Sequence, residues 1–143
     1  RHFGHDISSE DHVLEAGLSF AVKENKMPGK FGSMIGAEAV AAKRNDGLSQ
    51  RLMQFRLTDP DPLLYHNEAI YRDGVVIGYL TSGNYGHYLG GAIGLGYVKC
   101  NSVGETAEAQ LNAHYQIDVA GKLVDAEVSL RPLYDPKALQ VKL

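Results

Sequence analysis

The chain holds 143 residues, the size of one ordinary domain or of one compact domain with the tail of another, which excludes three domains. Hydrophobic residues make up 44% and charged residues 22%, a globular balance that speaks against disorder or collagen-like repetition. Lys plus Arg total 14 against 17 Asp plus Glu, a net charge of -3, and the basic residues are scattered, so there is no nucleic-acid footprint. The longest apolar stretches, such as Val75 to Ile77, fall far short of the roughly 20 residues of a membrane span. A single cysteine, Cys100, allows no internal disulfide and no Cys-rich zinc module, in keeping with a reducing compartment. The chain opens on Arg1 rather than Met, inside the patterned segment Arg1 to Ile7, which points to a piece of a longer protein.

In chain order, Val13 to Val22 (VLEAGLSFAV) is apolar but for Glu15 as its one charged member, and its length and aromatic content predict a largely buried strand. Lys23 to Ile35 contains Pro28, Gly29 and Gly32 and reads as a loop or crossover. Gly36 to Asn45 is rich in helix formers, with Lys43 and Arg44 in its last turn and Gly47 just beyond, where a left-handed cap is wanted. After Gly47 the period falls from about 3.6 to 2, and Met53, Phe55 and Leu57 alternate with Leu52, Gln54 and Arg56. Thr58 to Pro62 is a turn. Ala69 to Arg72 and Val75 to Thr81 flank Asp73-Gly74, a strong hairpin signal because both residues tolerate positive φ. A glycine-rich tract precedes a strand over Ala92 to Lys99. A second hairpin, His114 to Val119 and Lys122 to Leu130, turns about Ala120-Gly121. Tyr115, Ile117 and Val119 share one face of it, as do Val124, Ala126, Val128 and Leu130 of the return strand. Six short strands from about Gln50 onward predict a small closed antiparallel barrel.

Several residues bear on chemistry. His2, His5, Asp6, Asp11 and His12 are metal-ligand types, but their spacing fits no defined zinc pattern and reads as a solvated terminal loop, so no metal is assigned. Glycines at 83, 86, 90, 91, 94 and 96 lie between two strands instead of opening a helix, and neither a dinucleotide nor a P-loop fingerprint is present; they read as allowing bends and close strand approach. Tyr85, His87 and Tyr88 within that tract read as packing or surface. No GxSxG elbow occurs. Glu15 is the most informative residue: a carboxylate in an apolar run is paired, exposed at an edge, or kept to receive donors from a ligand, because burying it alone is costly. Arg51, at the mouth of the first barrel strand, reads from pattern alone as a solvated strand end.

The order of segments is specific. VLEAGLSFAVK at 13–23, GAEAV at 36–40, GLSQRL at 47–52, NEAIYRDGVVIGYLTSGNYGHYLGGAIGLGYV at 67–98 and AEVSLRPLYDP at 126–136 resemble the C-terminal region of the aminomethyltransferase superfamily. That superfamily includes the glycine-cleavage T-protein and the folate-using halves of dimethylglycine and sarcosine dehydrogenases. RHFGHDI at the opening and SLRPLYDP near the end are most similar to the flavin dehydrogenase branch. The resemblance implies a mainly β fold: a six-stranded antiparallel Greek-key barrel over residues 47–143, preceded by a strand-loop-helix extension. Residues 1–46 would then be the end of a central α+β folate-binding domain with its linker helix.

By the same resemblance, an upstream FAD domain oxidises an N-methyl amine such as dimethylglycine or sarcosine, and the C-terminal region passes the one-carbon unit to tetrahydrofolate at the interface with the missing domain. Glu15 matches the glutamate expected to hold the pterin ring, whose adjacent N–H donors a carboxylate can accept in pairs. Arg51 lies near the basic position expected beside the aminobenzoyl and glutamate part of folate. Asp135, after Tyr134, stands where some T-proteins carry a basic residue. The catalytic aspartate, the FAD fingerprint and the flavin-attachment histidine would all lie upstream of Arg1, so no catalytic residue is assigned and the piece alone is expected to be inactive. Expected partners are the remainder of the parent chain, the methylamine substrate and a possible second copy, with no nucleic acid and no membrane. The setting would be bacterial cytoplasm or the mitochondrial matrix. The competing expectations are a T-protein-like aminomethyltransferase, which uses folate and a lipoyl-bearing partner but no flavin, and a non-catalytic packing barrel. Cut off from its sheet neighbours, the segment around Glu15 is expected to be disordered, packed on the barrel, or paired with another chain.

Overall fold

Alternation of apolar and polar residues from Gln50 onward is realised as six strands: β1 (Gln50–Leu57), β2 (Ala69–Arg72), β3 (Val75–Gly86), β4 (Gly91–Lys99), β5 (Tyr115–Val119) and β6 (Lys122–Ser129). They form an antiparallel barrel in the computed structural model, which describes residues 1–30 and 32–140. The strand order is β1-β4-β3-β2-β5-β6, and β6 returns to pair with β1 and close the barrel. The run β2, β3 and β4 is a meander, and β5 comes back by a long connection to lie beside β2, which is a Greek key. The shared faces read from the alternation turn inward. Met53, Phe55, Leu57, Ile117 and Tyr115 are buried together, and the rings of Phe55 and Tyr115 meet edge to face at 5.6 Å.

Both predicted hairpins have the backbone their turn residues allow: φ is 51° at Asp73 and 82° at Gly74, and 52° at Ala120 and 86° at Gly121. Strand β3 runs on to Gly86, past the predicted end at Thr81, because a register shift between Leu80 and Ser82 absorbs the curvature of the barrel without ending the ladder. Close approach of β3 and β4 requires glycine both in the tract and before it: a Cβ at Gly96 would lie 2.7 Å from the Tyr79 carbonyl oxygen, and a side chain at Gly78 would run into the Tyr97 carbonyl oxygen of β4.

Helix α1 (Ala37–Asp46) starts and ends one residue later than predicted, and Gly47 closes it with φ 91° and an N–H bond to the Lys43 carbonyl at 3.1 Å. A second helix, α2 (Ala107–Leu111), was not expected. The Thr106 hydroxyl caps it by accepting the Ala109 N–H at 3.1 Å. Among the described residues no helix is long and apolar enough to cross a membrane.

The strand expected over Val13 to Val22 does not form. Residues 13–17 are turns, Ser19–Ala21 is a 3-10 turn, and Gly17 has φ 66°. The reason is the supply of edges. β1 pairs with β4 from Gln50 to Arg56, while the β6 ladder begins only at Gln54, so a short edge of β1 is free. The segment uses it once, the Leu52 N–H donating to the Glu15 carbonyl at 2.8 Å. Of the expected alternatives, the segment is packed on the barrel: Ala16 is buried, and so is Leu52, which points to the opposite side of β1 from Met53. Asp6 belongs to the same attachment. It is buried rather than solvated, contrary to the expectation, and its carboxylate accepts from Thr81 Oγ1 at 2.7 Å, Ser82 Oγ at 2.6 Å and the His2 N–H at 2.7 Å.

A Gly78→Ala substitution is expected to destabilise the barrel by about 3 kcal/mol, because the obstructing atom is backbone and cannot rotate away. Urea unfolding checks this; an unchanged midpoint would contradict the close packing of β3 on β4.

Candidate functional site

The turn at residues 13–17 delivers Glu15 to the point where α1 hands over to β1. Its side chain is 6% exposed, and its Oε1 accepts three donors: the Ser49 N–H at 2.9 Å, Ser49 Oγ at 2.7 Å and Lys43 Nζ at 2.7 Å. Burial opposes ionisation here, but the Lys43 and Ser49 donors outweigh it and hold the carboxyl at about 2. Of the possibilities left open for Glu15, the structure therefore shows it paired, with Lys43 of α1 and Ser49 at the foot of β1. The three donors converge on one oxygen and Oε2 receives none of them.

Arg51 is not a solvated strand end. It is half-buried, and its Nη1 donates to Gln110 Oε1 at 2.8 Å and lies 3.4 Å from Cys100 Sγ. Gln110, on α2, is completely buried. Beside it, Arg72 and Glu105 form a buried two-pronged pair at 3.0 and 2.7 Å, and the Asn101 N–H adds to the Glu105 carboxylate at 2.9 Å. Sequence reasoning missed Gln110, Arg72 and Glu105. The detectable signal was Thr106 followed by Ala107-Glu108-Ala109-Gln110-Leu111, a capping residue ahead of helix formers.

Glu15 and Arg51 line one cleft, with Leu14, Ser19, Leu48 and Leu130, enclosing about 230 Å³. An adjoining hollow of about 350 Å³ shares Leu14, Ser19, Leu48 and Arg51 and is rimmed by Lys43 and Arg44. The structure thus brings the two sequence-predicted site residues together at the mouth of the barrel. The other candidates gather elsewhere. Tyr88 and Tyr134 stack at 4.8 Å on the surface, and the rings of His2 and His5 lie 4.8 Å apart. Among the described residues no group of His, Cys, Asp and Glu is assembled as a metal site.

Residues 50–135 match the family model described as the glycine cleavage T-protein C-terminal barrel domain, and the chain belongs to the aminomethyltransferase superfamily through that barrel. It is 36% identical over 142 residues to 4-methylaminobutanoate oxidase (formaldehyde-forming) of Paenarthrobacter nicotinovorans, covering 99% of this chain and 16% of that protein. It is 32% identical to the mitochondrial sarcosine dehydrogenase of Homo sapiens, covering 99% of this chain and 15% of the relative. An aminomethyltransferase of Thermosipho melanesiensis is 32% identical over 92% of this chain and 32% of its own length. The crystal structure of glycine cleavage system aminomethyltransferase T from Bartonella henselae superimposes with a TM-score of 0.73 at 21% identity, over 90% of this chain and 33% of that one, and so shares the fold. The chain therefore spans a third or less of each of these proteins.

Because the Glu15 carboxyl is held at about 2, below the usual 4.5, the stability it contributes is fully present above pH 4.5 and is lost as pH falls toward 2. The expected loss is on the order of 2 kcal/mol after allowance for solvent at the cleft. Comparing urea midpoints at pH 5 and pH 3 for wild type and Glu15→Gln checks this. The variant should show the smaller fall, and equal falls would contradict it.

Proposed function

We propose that the chain is the folate-associated C-terminal part of a flavin-dependent N-methyl amine dehydrogenase of the dimethylglycine or sarcosine class, which passes a one-carbon unit to tetrahydrofolate. The observation that carries this reading is that Glu15 and Arg51 line one cleft. Similarity over 99% of the chain to an N-methylamino acid oxidase and to sarcosine dehydrogenase supports the branch and the substrate class. In this reading residues 1–46 are the end of a folate-binding domain and residues 47–143 are its barrel cap.

The donor set suits a folate in part. With Oε1 occupied, Glu15 offers Oε2 as one acceptor for a pterin N–H, rather than the paired acceptance that a free carboxylate allows. Arg51 offers a guanidinium for the anionic tail. At about 230 Å³ the cleft is smaller than the 300 Å³ or more of a typical ligand site, so the upstream domain supplies the opposite wall. In this reading an FAD held by the upstream domain would supply the two-electron oxidation of the N-methyl carbon. The residues here orient the acceptor and exclude water, and the barrel without its upstream part is inactive. The second reading, a flavin-free aminomethyltransferase, draws on the 32% identity to the Thermosipho melanesiensis protein. Flavin absorbance of the intact purified protein separates the two.

Titration of tetrahydrofolate into the intact protein tests the site. Glu15→Gln puts an amide donor where an acceptor is needed, and Arg51→Gln removes the cation; each is expected to weaken binding by about tenfold or more. Equal affinity in all three proteins would remove both residues from the site.

A further inference from the structure

Arg51 differs from its neighbours in what it is paired with. Arg44 meets Glu24 at 2.7 Å, Arg56 meets Glu127 at 3.3 Å and Arg72 meets Glu105 at 2.7 Å. Among the described residues no carboxylate pairs with Arg51; its partners are the Gln110 amide oxygen and the Cys100 sulfur, both neutral acceptors. Glu105, whose carboxylate lies near enough to feel the charge of Arg51, is committed to Arg72 and to the Asn101 N–H. Glu15, which shares the cleft, is neutralised by Lys43. The guanidinium at the cleft is therefore half-buried with no carboxylate bonded to it, an arrangement that costs stability unless an anion arrives.

Gln110 is fixed at both ends. It is fully buried, its Nε2 lies 3.5 Å from Cys100 Sγ, and its own carbonyl accepts the Tyr115 hydroxyl at 2.9 Å. Its Oε1 can therefore aim the guanidinium without cancelling it. A glutamate of the same shape at this position would form a closed ion pair and leave nothing for a ligand.

We propose that Gln110 is a positioning residue that holds Arg51, a cation with no carboxylate bonded to it, for a carboxylate ligand in the cleft. It rests on the folate reading, under which that carboxylate is the glutamyl end of the cofactor. The choice of an amide over an acid then sets the anion affinity of the site.

The test uses the intact protein with two probes, tetrahydrofolate and p-aminobenzoyl-glutamate, which lacks the pterin. Gln110→Glu is expected to weaken p-aminobenzoyl-glutamate binding by about tenfold or more while its thermal midpoint is unchanged or raised, since the new acid pairs with Arg51. Gln110→Met removes the acceptor but adds no charge, and is expected to weaken binding by only about two- to threefold. A merely structural Gln110 would give losses that follow stability instead of charge. Equal affinity in wild type and Gln110→Glu, or a larger loss in Gln110→Met, overturns the positioning role and leaves the folate reading standing. So does a Gln110→Glu protein that fails to fold, because an isosteric acid beside a free guanidinium must be tolerated. Wild-type protein that binds neither probe overturns both readings.

Discussion

The junction of the N-terminal segment, α1 and β1 depends on one carboxylate. Glu15 takes its three donors from Lys43 near the end of α1 and from Ser49 just before β1, so the turn, the helix and the first barrel strand meet at a single oxygen. Buried ion pairs owe their net worth to geometry and to additional hydrogen bonds. Here a backbone N–H and a hydroxyl supplement the ammonium group, and the carboxyl stays ionised under nearly all conditions. The cleft exists because of this junction: Leu14, Glu15 and Ser19 form one wall and Leu48 and Arg51 the other.

The barrel supplies the rigid side. Closure of β6 on β1 removes the open edges that a six-stranded sheet would otherwise present, and the core around Phe55, Tyr115 and Met53 fixes where β1 begins. α2 is tied to the barrel by the Tyr115 hydroxyl on the Gln110 carbonyl and by Arg72 on the Ala109 carbonyl, and the Gln110 side chain reaches from it to Arg51. Two networks of opposite design thus lie side by side. In one, arginine and carboxylate cancel; in the other, the arginine is oriented by neutral atoms and remains available.

The barrel was legible in the sequence because its information is local. Alternation over Met53, Phe55 and Leu57, and the Asp73-Gly74 and Ala120-Gly121 turns, fix strand faces and hairpins within a few residues of chain. The segment at 13–22 was misread for the converse reason. An apolar run packed on the outside of a barrel has the composition of a strand, and only the position at which the β6 ladder starts decides that the free edge of β1 is too short for more than one bond to it. Glu15 and Arg51 could be singled out as residue types needing explanation, and both line the cleft. Gln110 could not, since its importance comes from burial by a five-residue helix packed across the barrel end. Asp6 lay hidden in a histidine-rich opening that looks solvated until Thr81 and Ser82 are brought to it.

That the cleft between residues 14–19 and 48–52 is where folate meets this chain is tested most directly by hydrogen–deuterium exchange on the intact protein, with and without saturating tetrahydrofolate. Slowed exchange concentrated in those two segments, together with α2, is the predicted result. Saturation with ligand that slows exchange only in other parts of the protein would contradict it.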